Sequence, residues 1–328
     1  MMVRWRTIAG LEAVLILTLL LAGYFWHAPV SPPQSPQEGL LSPRVYAGVL
    51  EPQSFLIVNY APLKKSLEDY FAKKNYTVSV YVVNLRNGVS MGIREDERFV
   101  AVSLNKVPMA LFVLRQIEKG VLSLDTKLPI EEQDMVAGAS PFLQNRSSAS
   151  VEELLERMLR ESDNVAYRVL FRQVNTTDVW DLLNYLDFYG KDFNHVLATE
   201  PTSITPRVMY NLFMSLYLST ILQPEHSEYI LSELAHSTFN ISELAQLPPE
   251  VVIAQKYGTY QVPGAERYFH NCGIMYIGRM RAFYCVMTQG LEDQQARQVL
   301  GVVVNGIYRY TKESRQKWDE LFKTEAVQ

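Results

Sequence analysis

The sequence predicts an α/β (α+β) fold: one five-stranded antiparallel sheet flanked by terminal helices, with an inserted all-helical lobe. Three observations predict it. Two runs rich in β-branched and aromatic residues follow an amphipathic segment that starts near residue 61. Three more such runs lie close together after residue 250, and a last helical segment closes the chain. Between these groups, roughly residues 103–235 read as helix. The simplest solution builds one sheet from both ends of the chain and lets the middle form a second lobe. A chain of 328 residues, 48% apolar and 20% charged, can bury a core of that size.

Taken in order, the chain begins with Arg4 and Arg6 as a short cytoplasmic tail (residues 1–6). An apolar stretch, Thr7–Trp26, follows and is interrupted only by Glu12. Twenty residues suffice for a transmembrane helix. The basic flank places the N-terminus inside, and Tyr24, Phe25 and Trp26 suit the outer interface. The segment reads as an uncleaved signal anchor. A cleaved signal peptide is the rival, although no Ala-x-Ala-like site closes it. In both readings everything beyond residue 26 faces the outside of a membrane. Residues 27–59 carry Pro29, Pro32, Pro33 and Pro36 and read as an extended linker. A folded domain over 60–328 follows.

In that domain, residues 61–75 place Leu63, Leu67, Tyr70 and Phe71 on one helix face. YTVSVYVVNL and VSMGIRED flank Arg86-Asn87-Gly88 and predict a hairpin, since Asn-Gly favours positive φ. The later strands are EVVIAQKYGTY (250–260), HNCGIMYIG (270–278) and RMRAFYCVMTQ (279–289). A helix over 292–322 would bury Val299, Val302, Val303 and Ile307. Gly278-Arg279 makes a two-residue turn, with Gly suited to the first position of type II′. Pairing Ile277 with Met280 then sets Cys272 opposite Cys285, at a Cα separation of about 4.5 Å. The two are either a disulfide, which an outward location permits, or two buried thiols.

Composition excludes several function classes. The net charge is −4 and no basic run lies outside the N-terminus, so no nucleic-acid partner is expected. Two Cys and five scattered His, without HExxH or similar spacing, predict neither a metal site nor a cofactor.

The chemistry resides in three short motifs. SLNKVPMALFVL (103–114) sets Ser103 and Lys106 one helical turn apart at the mouth of an apolar helix. A hydroxyl is a weak nucleophile until a base takes its proton, and a lysine can serve if it is neutral part of the time. Taken alone, Ser103 reads as a helix N-cap. Ser314-Arg315-Gln316-Lys317 repeats the same spacing on what reads as solvated surface. The second motif, Ser162-Asp163-Asn164, reads alone as a turn. The third, Lys256-Tyr257-Gly258, reads alone as a snorkelling edge-strand lysine. Ser-x-x-Lys, Ser-Asp-Asn and Lys-Thr-Gly in that order make the element set of class A β-lactamases and penicillin-binding proteins, and this chain departs from it at Tyr257.

The chain resembles the class A β-lactamase-like serine hydrolases from about residue 60 to 310. GVLSLDTKLPI is similar to the family's stretch after the nucleophile helix. TSITPRVM is similar to the Thr-Pro-x-x-Met element that ends its Ω-loop, and HNCGIMYIG to the strand after Lys-Thr-Gly. The resemblance implies a β-lactamase/transpeptidase-like fold. It implies Ser103 as nucleophile, Lys106 as its base and Ser162 as the proton relay to the leaving nitrogen. Asn164, Lys256, Tyr257, Gly258 and Thr259 would bind substrate, with the backbone N–H groups of Ser103 and Thr259 as oxyanion hole. His270 is expected to be an ordinary strand residue without a catalytic role.

Two departures bear on activity. The segment LDFYGKDFNHVLATEP, ahead of TSITP, lacks the Trp-Glu-Pro-type motif whose Glu activates the deacylating water in true class A enzymes. Glu200 is the candidate replacement, and Asp192 is another nearby carboxylate. Tyr257 stands where the family's Thr hydroxyl helps bind a substrate carboxylate, and Asn271 stands where Asp is common. The leading expectation is an outward-facing acyl-serine hydrolase acting on β-lactams. The alternatives are a D,D-peptidase acting on D-Ala-D-Ala stems of peptidoglycan, and a non-catalytic ligand-binding or sensor module on the same fold.

Overall fold

A computed structural model describes residues 39–41, 59–72, 74–135, 143, 145–174 and 203–325, with side chains as far as residue 313. The anchor segment, most of the linker, Asp192 and Glu200 lie outside the described residues. Among the described residues no helix is long and apolar enough to cross a membrane.

The compact unit from Leu40 onward opens with helix α1 (Ala61–Phe71) and strands β1 (Thr77–Asn84) and β2 (Ser90–Ile93). A two-residue strand β3 (Phe99–Val100) leads through a 3₁₀ turn (Val102–Asn105) into α2 (Lys106–Glu118). β4 (Lys127–Pro129) and β5 (Ser148–Ser150) precede α3 (Val151–Arg160) and α4 (Asn164–Phe171). After β6 (Ser203–Ile204) come α5 (Pro206–Tyr217), α6 (Pro224–Ala235) and the short α7 (Ile241–Leu244). β7 (Val252–Tyr260), β8 (Tyr268–Ile277), β9 (Met280–Gln289) and α8 (Asp293–Glu325) complete the chain.

The main sheet has five strands in the order β2-β1-β9-β8-β7, all antiparallel. β1 and β9 pair although they lie at opposite ends of the domain, so the sheet is assembled from both ends of the chain as expected. Alternation sends the two faces to different cores. Tyr81, Val83, Phe283, Cys285, Cys272 and Ala254 face the helical lobe and pack with α2, α3, α4, α5 and α6. Val78, Val80, Val82, Tyr284 and Val286 face α1 and α8. α2 is apolar nearly all round and sits buried between sheet and lobe. Pro108 falls in its first turn, where no intrahelical N–H partner is needed.

The β8–β9 turn is as expected. Gly278 has φ 55°, Ile277 pairs with Met280, and Cys272 pairs with Cys285. The cysteines form a disulfide with their Cα atoms 3.9 Å apart. Several details differ from the sequence reading. Val302 is 48% exposed, whereas Leu300 and Val304 are buried beside Val299, Val303 and Ile307. At 3.6 residues per turn, position 302 falls off the stripe that these residues share. Tyr70 is also largely exposed, leaving Leu63 and Leu67 as the buried face of α1. The helical block is interrupted by the short ladders β3–β6 and β4–β5, too brief to show a period of two.

One contact reaches back into the linker. The backbone N–H groups of Leu40 and Leu41 donate to the Glu228 carboxylate on α6, at 2.9 and 3.1 Å. The Tyr276 hydroxyl on β8 donates to the Leu40 carbonyl at 2.6 Å. Leu41 itself is buried in the core on the lobe side.

Candidate active site

The site forms where the 3₁₀ turn before α2, the α3–α4 connection and β7 meet. In a 3₁₀ turn, residues i and i+3 eclipse. Lys106 therefore stands over Ser103, with its Nζ 3.2 Å from Ser103 Oγ. Ser103 caps no helix; its Oγ serves this contact, and the residue is partly open to solvent.

Between α3 and α4, Ser162 has φ 61°, the left-handed region that non-glycine residues seldom visit. That conformation turns both its carbonyl and its hydroxyl toward Lys106. Nζ donates to the carbonyl through a short hydrogen bond and lies 3.2 Å from Ser162 Oγ. It also donates to Asn164 Oδ1 at 2.6 Å. Asp163 has the structural role: it is the N-cap of α4, accepting from the Ala166 N–H at 2.9 Å.

Lys106 is buried, and desolvation lowers its pKa to about 7 against a smaller opposing pull from Asp163. Lys256, fully buried on β7, is pushed down as well, by desolvation first and by Lys106 second. A neutral Lys106 has two N–H bonds and one lone pair. With the Ser162 carbonyl and Asn164 Oδ1 as the closest acceptors for the N–H bonds, the lone pair faces the two hydroxyls at 3.2 Å, Ser103 Oγ and Ser162 Oγ. That is the arrangement a general base for Ser103 requires.

Lys256 is not a snorkelling lysine. Its Nζ donates to its neighbour's carbonyl, Tyr257 O, at 3.1 Å and lies 4.5 Å from the centre of the Tyr257 ring. That ring stacks on Phe239, 4.7 Å between centroids. The Tyr257 ring thus lies against the Lys256 amine, which the resemblance assigns to substrate binding. Gly258 lies flat against the Val102–Ser103 turn. A Cβ there would come within 2.5 Å of Val102 Cγ2 and 2.9 Å of the Ser103 nitrogen. Only glycine leaves that N–H uncovered. Thr259 follows on the exposed end of β7.

The structure thus brings together Ser103, Lys106, Ser162, Asn164, Lys256, Tyr257 and Gly258, with Thr259 next along the strand. Glu200 lies outside the described residues. Among the described residues no cluster of His, Cys, Asp and Glu could hold a metal.

The sequence profile of the beta-lactamase enzyme family matches residues 62–311. The chain belongs to that family. It is similar to Beta-lactamase VEB-1 of Pseudomonas aeruginosa, 28% identical over 216 residues that cover 60% of this chain and 71% of that protein. It is also similar to a Beta-lactamase of Streptomyces albus G, 26% identical over 67% of this chain and 74% of that protein. The match to Beta-lactamase L2 of Stenotrophomonas maltophilia spans 50% of this chain and 55% of that protein, at 26% identity. Among solved structures, PBP-A superposes with a TM-score of 0.69 at 17% identity, covering 77% of this chain and 97% of that one. TLA-1 extended spectrum Beta-lactamase superposes with a TM-score of 0.67 at 21% identity, over 76% and 98% of the two chains. These structural likenesses speak for the fold.

Two features of the site escaped the sequence reading. Val102, next to Ser103, has φ 43°, which costs an L-residue about 1–2 kcal/mol; a β-branched residue gives no hint of it. His270 is fully buried, and burial brings its imidazole down to about 4. In the sequence His270 reads as an ordinary strand residue, and no local pattern shows its burial or its reach to the Val100 carbonyl.

Proposed function

We propose that this protein is an extracytoplasmic acyl-serine hydrolase that opens β-lactams through a Ser103 acyl-enzyme, with slow deacylation. The observation that supports it best is the placement of Lys106. It lies 3.2 Å from both Ser103 Oγ and Ser162 Oγ and titrates at about 7. Ser103 Oγ attacks the lactam carbonyl carbon as Lys106 takes its proton. The oxyanion accepts from the backbone N–H groups of Ser103 and Thr259. As the carbon–nitrogen bond breaks, the proton passes through Ser162 to the departing nitrogen. An ester on Ser103 remains.

Deacylation needs a water and a base for it. The family's Ω-loop Glu has no counterpart in LDFYGKDFNHVLATEP, and Glu200 is the candidate substitute. An absent general base costs about 10²–10⁴ in rate, or about 3–5 kcal/mol. A reactive β-lactam should therefore acylate the protein stoichiometrically in a burst and leave slowly. The same departure favours a second reading, a D,D-peptidase working on D-Ala-D-Ala stems. For the third reading, a non-catalytic sensor, the intact Ser103, Lys106, Ser162 and Lys256 count against it and Tyr257 counts for it. The basic flank and apolar run at residues 1–26 support a single-pass anchor with the domain outside; protease shaving of intact cells tests it.

The decisive experiment is intact-protein mass spectrometry over time with a penicillin. A persistent adduct supports the slow-deacylation reading. A transient adduct that Glu200→Gln makes lasting assigns that residue as the base. Steady turnover at hundreds per second without a burst would sink the missing-base argument. The absence of any adduct, or normal labelling of Ser103→Ala, would overturn the assignment of the nucleophile.

A further inference from the structure

We infer that His270 is a positioning residue for the nucleophile, a strut that holds the chain just ahead of Ser103 in its reactive shape. The inference rests on Ser103 being the nucleophile. β8 sets His270 directly beside Gly258 on β7. Because Gly258 has no side chain, the Val102–Ser103 turn lies against β7 itself. The imidazole of His270 reaches across from the next strand, and its Nε2 lies 3.0 Å from the carbonyl oxygen of Val100. On its other side, the Thr288 N–H donates to Nδ1 at 3.3 Å. With Nδ1 an acceptor, the ring proton sits on Nε2 and is donated to Val100. The edges of Phe99 and Tyr268 pack around the ring at 5.6 and 5.9 Å between centroids. No charged side chain takes part in these contacts, and burial keeps the imidazole neutral over the working range.

The need for a strut comes from Val102. A β-branched residue at φ 43° does not stay there unless its surroundings over-determine it. Three contacts do so. β3 pairs Phe99 and Val100 with Ile204 and Ser203. Gly258 supports Val102 from below. His270 fixes the Val100 carbonyl two residues upstream. Relaxation of Val102 would rotate the Ser103 N–H out of the oxyanion position and swing Oγ away from Lys106. His270 touches neither substrate nor reacting atoms; it acts through the backbone of Val100–Val102.

The test is a three-variant series. His270→Gln places an amide nitrogen near the position of Nε2 and can still donate to Val100. His270→Asn is too short to reach, and His270→Met cannot donate. Acylation by a fluorescent penicillin is followed by stopped flow, with hydrogen exchange of the Val102–Leu104 amides and thermal unfolding in parallel. Asn and Met should acylate about tenfold more slowly, the weight of one neutral hydrogen bond. Penicillin affinity before acylation should be unchanged, the pH midpoint should stay that of the wild type, and the three amides should exchange faster. Gln should recover most of the rate and the protection. Should Met fail to fold, Asn carries the comparison. Asn acylating at the wild-type rate, or Gln falling as far as Asn, would overturn the strut. If the wild type itself is not acylated, the proposed function fails instead, and amide exchange still decides the strut.

Discussion

At the scale of single residues, the site turns on how burial treats two lysines. Desolvation, not a special partner, lowers Lys106 to about 7, and Lys256 is depressed by the same cause and by Lys106 beside it. As the proposed base, Lys106 would work only when deprotonated, so acylation should rise with pH through about 7 and level off above it. Lys106→Ala should slow acylation by about 10²–10⁴ and abolish that limb; stopped-flow acylation across pH checks both. Gly258→Ala should cost about 10²–10³, the usual loss for one oxyanion donor, because the new methyl would crowd the Ser103 N–H. Tyr257→Thr should do the opposite. It removes the ring that covers Lys256 and supplies a short hydroxyl. Acylation by a carboxylate-bearing β-lactam should accelerate about tenfold, the worth of one hydrogen bond to a charged group. A probe lacking the carboxylate should show no gain.

Among elements, the short connections have the strongest effect. The three residues between α3 and α4 deliver Ser162 to Lys106 because Ser162 adopts a left-handed conformation and Asp163 caps the following helix. The β8–β9 turn sets a register that aligns Tyr81, Cys285, Cys272 and Lys256 across the lobe-facing side of the sheet. The Leu40–Leu41 segment is held by Glu228 and Tyr276. A carboxylate accepting two backbone N–H bonds is a strong clamp. Glu228→Ala should therefore raise hydrogen exchange at Leu40 and Leu41 by about tenfold or more, with penicillin acylation unchanged. Unaltered protection would show that the buried Leu41 side chain alone holds the segment.

For the molecule as a whole, folding must take both lysines out of water. Unfolded, Lys106 has its ordinary pKa of 10.5; folded, it titrates at about 7. Between these values the unfolded chain binds more protons, so stability rises with pH across that window. The contribution is complete above the unfolded value and lost as pH falls to the folded one. Its slope is at most about 1.4 kcal/mol per pH unit. Urea denaturation at pH 7 and pH 9 should show the wild type gaining on Lys106→Met between the two. Parallel curves would mean that Lys106 keeps its proton in the folded protein. Such a cost comes from burying a lysine that titrates so low, and the two cores on either side of the sheet offset it.

The sequence by itself determined the features that depend on near neighbours. The five strands, the Gly278-Arg279 turn, the Cys272–Cys285 pairing and the Ser103–Lys106 spacing all follow from periodicity, turn chemistry or helical rise over a few residues. Ser103, Ser162 and Lys256 were legible as a set because three short motifs occur in order. Only the tertiary structure decided what those residues experience. Long-range packing places Ser162 and Asn164 on Lys106, lays Tyr257 over Lys256, and reaches from His270 back to Val100. No local pattern encodes these contacts, because each is made by strands and helices whose meeting depends on the whole core. The pKa of Lys106 belongs to the same class: it is set by how much water the assembled protein removes around it, a quantity no stretch of sequence contains.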